Sequence, residues 1–413
     1  MSREFASKGR VVFVEESRVI PSPAGDGRVR IGAVVRYDGD FIPEEYWFDF
    51  PADLANEVDR SGSPWLALLS PLASKWGEDL TIDAPVDRIL LEGVHENLRL
   101  WKAWEPERTV PGIHAPVNCD TTANGDRCTA SFFSGGVDSF FTVLYHDAHP
   151  DTHARIDELI TVWGFDIGVD RTDDIQYGRS RLNEVAEQLG RPRFDVWTNL
   201  RATRFGSVEW GRHTHGAALA AVGHFLSRRY RRIFIASSYS LANFHPWGST
   251  PITDPNFSSS GLQFTHDGAG FERLEKVGYI STNQTALDYV HSCWRSGTYH
   301  NCSACASCLR TMMAFAIHGA LSNCKTFDVS QFSLEKLRNM KLPDEDVVND
   351  CRVIYLKKLP DTADPAIRDA LLCTINANTR YFRRLRWFER WERARYFGWL
   401  FGLIKRNLIL DKR

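Results

Sequence analysis

The chain has 413 residues, of which 43% are hydrophobic and 25% charged, values typical of a globular protein. Fifty Lys and Arg residues against 52 Asp and Glu residues give a formal net charge of −2, so bulk charge does not favour a nucleic-acid partner. This composition excludes wholesale disorder, a collagen-like chain and a small disulfide-knotted protein.

The first part of the chain is rich in strand-like segments. Three runs of β-branched and aromatic residues are separated by Pro, Gly and Asp turns: 10–16, 28–39 and 44–51. The stretch 65–104 predicts a helix, a strand and a second helix, and the polar stretch 117–128 is typical of a linker. We therefore predict a β-rich accessory domain over residues 1–125.

From Thr129 onward, apolar strands alternate with helical patterns. The predicted strands are 129–134, 158–166, 193–199 and 232–238. The predicted helices between them are 137–148, 179–189 and 211–230. This alternation predicts an α/β domain over 126–320 with a doubly wound parallel sheet, whose ligands bind at the carboxyl ends of the strands. Residues 321–413 are expected to form a helical C-terminal region.

One short motif joins the first strand of this domain to its first helix: Ser134-Gly135-Gly136-Val137-Asp138-Ser139. The two glycines allow positive φ angles and a close approach of an anion to the backbone. The following helix N-terminus offers free N–H groups, and the serines add hydroxyl groups. Asp138 would meet phosphate through Mg²⁺. The alternative is an ordinary Ser/Gly turn with an N-cap.

This hexapeptide resembles the signature of the PP-loop ATP pyrophosphatases, the adenine nucleotide alpha hydrolase-like enzymes with a HUP-like core. The resemblance implies that the loop binds the pyrophosphate portion of ATP, with Asp138 and Ser139 as catalytic residues. It also implies that ATP is cleaved between its α and β phosphates and that AMP passes to a carboxylate or amide oxygen. Asp166, at the end of the second strand, falls where relatives contact the nucleotide.

A second motif, C-x8-C-x2-C-x2-C, lies late in the same domain: Cys293, Cys302, Cys305 and Cys308. Four soft thiolates at close spacing suit a tetrahedral Zn²⁺ ion with no open position, which predicts a structural site. An iron–sulfur cluster and four unrelated buried cysteines are the alternatives.

The two motifs together resemble 7-cyano-7-deazaguanine synthases, which activate 7-carboxy-7-deazaguanine with ATP and add ammonia. The stretch from Cys293 to Gly297 and the pair Asn301-Cys302 fit that family's zinc knuckle. Lys276 matches a lysine-bearing stretch before the knuckle and is a candidate for stabilising the leaving pyrophosphate; a solvated helix lysine is the alternative. The resemblance implies an ATP-dependent carbon–nitrogen ligase, but this chain is longer at both ends.

Four polar, turn-rich segments between the loop and the knuckle are candidates for a substrate pocket: 213–216, 245–249, 253–255 and 266–268. His245 and His266 could act as acid–base groups, with ordinary loop histidines as the alternative. The acceptor could instead be a protein amine or tRNA. Sulfur transfer to tRNA would need a cysteine outside the metal set, and five remain: Cys119, Cys128, Cys324, Cys351 and Cys373. A non-catalytic adenine-nucleotide sensor is the candidate from a different class.

Residues 380–413 hold eleven Lys or Arg against three acidic residues, interleaved with aromatic residues. This tail could cover the protein's own core or an oligomer partner, contact an anionic membrane or bind nucleic acid. The N-terminal residues lack the apolar stretch of a secretory signal, so a cytoplasmic location is expected. The expected partners are ATP with Mg²⁺, a small carboxylate and a second copy of the chain.

Overall fold

The computed structural model describes residues 11–15, 17–25, 27–38, 41–118, 127–151, 153–293 and 299–393. The chain forms two compact units. The first comprises Met1–Phe271 and Gly297–Tyr299, and the second comprises Glu272–Ser296 and His300–Arg413.

The first unit contains most of the strands. Its elements in chain order are β1 (Val11–Val14), β2 (Arg18–Pro21), β3 (Arg28–Arg36), β4 (Glu44–Pro51), α1 (Ser63–Trp76), β5 (Asp79–Ile82), β6 (Val86–Asp87), α2 (Arg88–Trp104), β7 (Ile113–His114), β8 (Val117–Asn118), β9 (Cys128–Phe132), α3 (Val137–Ala148), β10 (Glu158–Trp163), α4 (Thr172–Gln188), β11 (Arg193–Thr198), α5 (His215–Phe225), β12 (Tyr230–Ala236) and β13 (Gln263–Asp267).

Within the described residues, eleven of these strands form one sheet in the order β13-β12-β9-β10-β11-β4-β3-β1-β5-β7, with β2 paired to β3. The five strands from β13 to β11 are all parallel to one another. Their chain order across the sheet reverses between β9 and β12. In parallel α/β sheets such a reversal opens a crevice at the carboxyl ends of the strands, where ligands bind. The prediction of an α/β fold with a mostly parallel central sheet is therefore confirmed.

The N-terminal strands continue this sheet instead of forming a domain of their own. β4 pairs antiparallel with β11, through Asp49 opposite Trp197 and Phe48 opposite Thr198. One hydrophobic cluster runs from Val12 to Phe264, and α1 packs against α5. The structure thus divides the chain after Phe271, away from the expected boundary at 125/126, because β11, the last of the parallel strands, pairs with β4 of the N-terminal region.

The second unit is helical where the structure describes it. Its helices are α6 (Arg273–Ile280), α7 (Gln284–Tyr289), α8 (Ala306–Ile317), α9 (Leu334–Arg338), α10 (Glu345–Asp350) and α11 (Pro365–Arg393). The predicted boundary at 320/321 falls inside this unit. Of the basic aromatic tail, 394–413 lies outside the described residues. None of the described helices combines the length and the apolar character needed to cross a bilayer.

Candidate functional site

The Ser134–Ser139 loop connects β9 to α3, as its sequence predicts. Gly135 has a φ of 74°, a left-handed conformation that favours glycine. The Gly136 N–H donates to the Ser134 hydroxyl at 3.3 Å, and the Ser139 hydroxyl donates to the Gly136 carbonyl at 3.0 Å. Val137 is the first residue of α3 and is buried. The loop therefore ends at a helix N-terminus, whose first N–H groups have no partner within the helix.

This loop lines a cavity of about 250 Å³ at the carboxyl ends of β9, β10 and β12. The size is close to the lower end of the range for small-molecule sites, roughly 300 to 1,000 Å³. Its polar lining residues are Ser134, Asp138, Ser139, Thr161, Asp166, His215 and Ser238, and apolar side chains such as Ile160 and Ile235 supply the remaining wall. The cavity lies at the strand-order reversal between β9 and β12. The structure thus brings Ser134, Gly136, Asp138, Ser139 and Asp166 of the predicted site together.

Asp166 follows β10 and faces the cavity. Its side chain is accessible to solvent there, but surrounding protein atoms desolvate it, which raises its pKa; Arg201 and His215 oppose this shift. The Arg201 guanidinium donates to the Phe165 carbonyl at 3.1 Å and lies over the Trp210 ring at 4.7 Å. Asp166 therefore stands beside a cation that is fixed by its neighbours.

From the four predicted pocket segments, His215 of 213–216 contributes to the cavity lining. A five-residue π-helical turn, Trp210–Thr214, precedes α5 where the sequence predicts continuous helix from 211 to 230. Such π-helical turns are frequent at functional sites. The Nδ1 atom of His215 lies 3.1 Å from the Trp210 carbonyl oxygen.

His213 of the first segment and side chains of the other three segments form hydrogen-bonded networks. The Nε2 atom of His213 lies 2.6 Å from Glu105, and burial lowers the pKa of this histidine. His266 on β13, a strand that the sequence analysis missed, places Nδ1 2.7 Å from Asp254. The Ser249 hydroxyl donates to the same carboxylate at 2.5 Å. These contacts give His213, Ser249, Asp254 and His266 structural partners. A substrate-pocket role for these segments and acid–base roles for His245 and His266 stay predictions.

The four predicted metal ligands lie together in the second unit, and their Sγ atoms all lie within 4.8 Å of one another. The Sγ atoms of Cys293 and Cys305 are 3.9 Å apart, as are those of Cys302 and Cys308. A tetrahedral ion with Zn–S bonds of about 2.3 Å sets its ligands about 3.8 Å apart. The group could therefore hold a metal ion such as zinc.

Backbone contacts around the cysteines favour the same interpretation. The Cys305 N–H donates to the Cys302 sulfur at 3.3 Å, and the Cys308 N–H donates to the Cys305 sulfur at 3.4 Å. The hydrogen bond to Cys305, burial and the other thiols raise the pKa of Cys308, an effect that a bound divalent cation would offset. The four sulfurs lie close enough together to bind one ion, and a tetrahedral ion held by all four would keep no open position for water.

Lys276 lies on α6 in the second unit, after a capping box formed by Glu272 and Glu275. Its exposed fraction is 2%, so it is not the solvated helix lysine of the alternative interpretation. Its contact with pyrophosphate stays a prediction.

Several cavity residues were not singled out from the sequence. Ser238 follows β12, and the rule that ligands bind at the carboxyl ends of parallel strands could have identified it. Phe165 and Trp210 pack with ring centroids 4.8 Å apart beside Asp166, and only their tertiary contact reveals this.

Comparisons of the chain with protein-family models, curated proteins and solved structures find no match. The chemistry of the cavity and of the cysteine group is therefore the basis for a functional proposal.

Proposed function

We propose that this protein is an ATP-dependent enzyme, forming AMP and pyrophosphate, that adenylates a carboxylate for attack by ammonia or an amine. The observation that carries the proposal is the cavity at the strand-order reversal. The Ser134–Ser139 loop, which includes Asp138 and Ser139, lines this cavity together with Asp166. A glycine turn, a helix N-terminus and carboxylates facing one small cavity suit a nucleotide phosphate chain accompanied by a divalent cation.

In the first step, the carboxylate oxygen of the acid attacks the α-phosphorus of ATP and pyrophosphate leaves. The loop N–H groups and the N-terminus of α3 stabilise the developing negative charge on the leaving group. Asp138 would hold Mg²⁺, which when bound neutralises charge on the phosphates. The apolar wall formed by Phe132, Ile160 and Ile235 provides a dry surface for the adenine ring. Lys276 remains the sequence-based candidate for contact with pyrophosphate.

The cysteine group has a structural role in this proposal. Cys293, Cys302, Cys305 and Cys308 would use all four positions of a tetrahedral zinc ion, so the ion would fix the fold of the second unit and take no part in chemistry.

The proposal is tested by pyrophosphate release from ATP and Mg²⁺ with 7-carboxy-7-deazaguanine and ammonia, followed by mass spectrometry. Pyrophosphate together with a product in which nitrogen replaces one oxygen, or which has lost a further water, supports an amide- or nitrile-forming enzyme. Pyrophosphate release only with other acids, proteins or tRNA retains the adenylation chemistry and changes the acceptor. ATP binding without pyrophosphate release across such a panel contradicts the proposal and favours a nucleotide sensor.

A further inference from the structure

The surroundings of His215 determine which of its two ring nitrogens carries a proton. A carbonyl oxygen can only accept a hydrogen bond, so Nδ1, 3.1 Å from the Trp210 carbonyl, must carry a proton. In the neutral ring the lone pair is then on Nε2. His215 lines the cavity that also contains Asp138 and Ser139, so this residue belongs to the same site as the glycine loop.

The imidazole ring is also tightly enclosed. The Trp210 and Trp247 rings each lie with their centroids 6.0 Å from it. A Cβ atom at Gly248 would come within 2.6 Å of Nδ1, so only glycine leaves room for the ring at this position. This packing fixes the direction of the ring, as a group that transfers a proton in a defined geometry requires.

Charged groups on neighbouring elements face His215 from several sides. Burial lowers the pKa of its ring, and His266 adds to this, whereas the hydrogen bond to the Trp210 carbonyl and the carboxylates of Asp254 and Asp166 oppose it. A lowered pKa leaves the His215 ring neutral at pH 7, and the neutral ring is the form that accepts a proton. Of the histidines that the structure describes, His215 lines the cavity and His213, His245 and His266 do not.

We propose that His215 is the general base of the second step, an inference that rests on the proposed function. The nitrogen nucleophile attacks the carbonyl carbon of the acyl-adenylate and forms the C–N bond. The C–O bond to the AMP phosphate then breaks, and its electron pair leaves with AMP. Nε2 of His215 takes the proton that the nitrogen loses and passes it to solvent. The first step, adenylation, does not use this base.

The test separates the two steps in His215→Asn. The Asn side chain can keep an N–H donor towards the Trp210 carbonyl but has nothing at the Nε2 position. His114→Asn is the matched control. This histidine is exposed on β7, an edge strand of the sheet, and does not line the cavity. Each protein is assayed for exchange between ATP and labelled pyrophosphate with 7-carboxy-7-deazaguanine, and for product formation with ammonia and with hydroxylamine.

In His215→Asn we expect exchange within a factor of about three of wild type and ammonia-dependent product at least ~100-fold lower, the usual contribution of a general base. Hydroxylamine, a strong nucleophile that is neutral at pH 7, should restore most of the turnover. Equal loss of exchange and product would overturn the inference, because His215 would then act in binding or adenylation. Unchanged ammonia-dependent turnover would overturn it as well. Absence of exchange in the wild-type protein with this acid and with a panel of other acids would instead count against the proposed function itself.

Discussion

Gly135 shows how a single residue determines the geometry of the loop. Its φ of 74° is costly for any residue with a Cβ atom. A Cβ atom there would also lie 2.4 Å from the Tyr299 hydroxyl oxygen and 3.0 Å from a Leu182 methyl carbon. The Tyr299 hydroxyl donates to the Ser134 carbonyl at 2.9 Å, so it is fixed where it would clash. Both backbone conformation and space therefore require glycine.

We predict that Gly135→Ala destabilises the protein more than Gly25→Ala. Gly25 has a similar φ of 68°, but nothing lies within 4 Å of an added Cβ, so it reports the backbone cost alone, about 1–2 kcal/mol. The clash at Gly135 adds roughly 1–3 kcal/mol. Urea unfolding of both variants measures the difference. Tyr299→Phe should relieve part of the excess in Gly135→Ala, and equal destabilisation of the two single variants would contradict the close approach.

At the residue scale, the loop could be predicted from sequence because its six residues are contiguous and their glycines and hydroxyl groups act locally. The position of His215 could not. Three of the four candidate segments contain histidines, and the one that faces the cavity is selected by the π-helical turn before α5 and by contacts with Trp210 and Trp247. Neither the turn nor those contacts has a signal in one sequence.

At the scale of elements, the cysteine knuckle is formed by residues that are close together in the sequence. Its ligands fall between Cys293 and Cys308, and Ser303 in the turn between the second and third ligands has a positive φ of 55°. The Ser303 hydroxyl accepts a hydrogen bond from the Asp328 N–H at 2.9 Å, which supports the turn. Cys308 stands in the first turn of α8. A bound ion would therefore connect this turn to the start of a buried helix.

Cys308→Ser is expected to lower bound zinc from one ion per chain to well below one and to destabilise the protein by at least about 4 kcal/mol, as loss of a structural metal does. Cys373→Ser, at an exposed cysteine on α11, is the control. Zinc content by mass spectrometry and thermal unfolding, with and without a chelator, are the measurements. Two results would show that the cysteines bind no structural ion. One is a Cys308→Ser protein with full zinc content, and the other is a wild-type protein that purifies without metal and whose thermal unfolding is unchanged by the chelator.

On the scale of the whole molecule, the N-terminal region and the loop-bearing strands of the first unit share one sheet and one core. Phe48 on β4 and Trp65 on α1 pack against Phe225 of α5, with ring centroids 4.9 and 5.4 Å apart. These contacts, with the β4–β11 pairing, make the described residues before 119 part of the structure that carries the cavity.

A chain reduced to residues 127–413 should consequently be insoluble, because it exposes the apolar face of α5 and the unpaired edge of β11. Co-expression of residues 1–118 as a separate chain should restore part of the soluble protein by covering both. Soluble yield and far-UV circular dichroism are the readouts. A soluble, folded 127–413 chain that still binds ATP would show that the N-terminal region is an independent accessory domain, as its sequence suggests.

Most of the strands and helices could be predicted from periodicity, because each buries a face set by its own residues. β13 was missed: its stretch Gln263–Asp267 is short and mostly polar, and it is a strand because it pairs with β12. The continuity between β4 and β11 was also missed, since partners about 150 residues apart have no local signal. The parts of the site that one loop or one knuckle forms could be predicted from the sequence. The parts formed by the packing of distant segments could not.

The most direct test of the adenylation proposal is acid-dependent exchange between ATP and labelled pyrophosphate in wild type, Asp138→Ala and Asp361→Ala. Asp138 lines the cavity beside the glycine loop, whereas Asp361 is an exposed carboxylate in the second unit. We predict exchange in wild type and Asp361→Ala and a loss of at least ~100-fold in Asp138→Ala, with an unchanged circular dichroism spectrum. Exchange that persists in folded Asp138→Ala would contradict the role assigned to the loop.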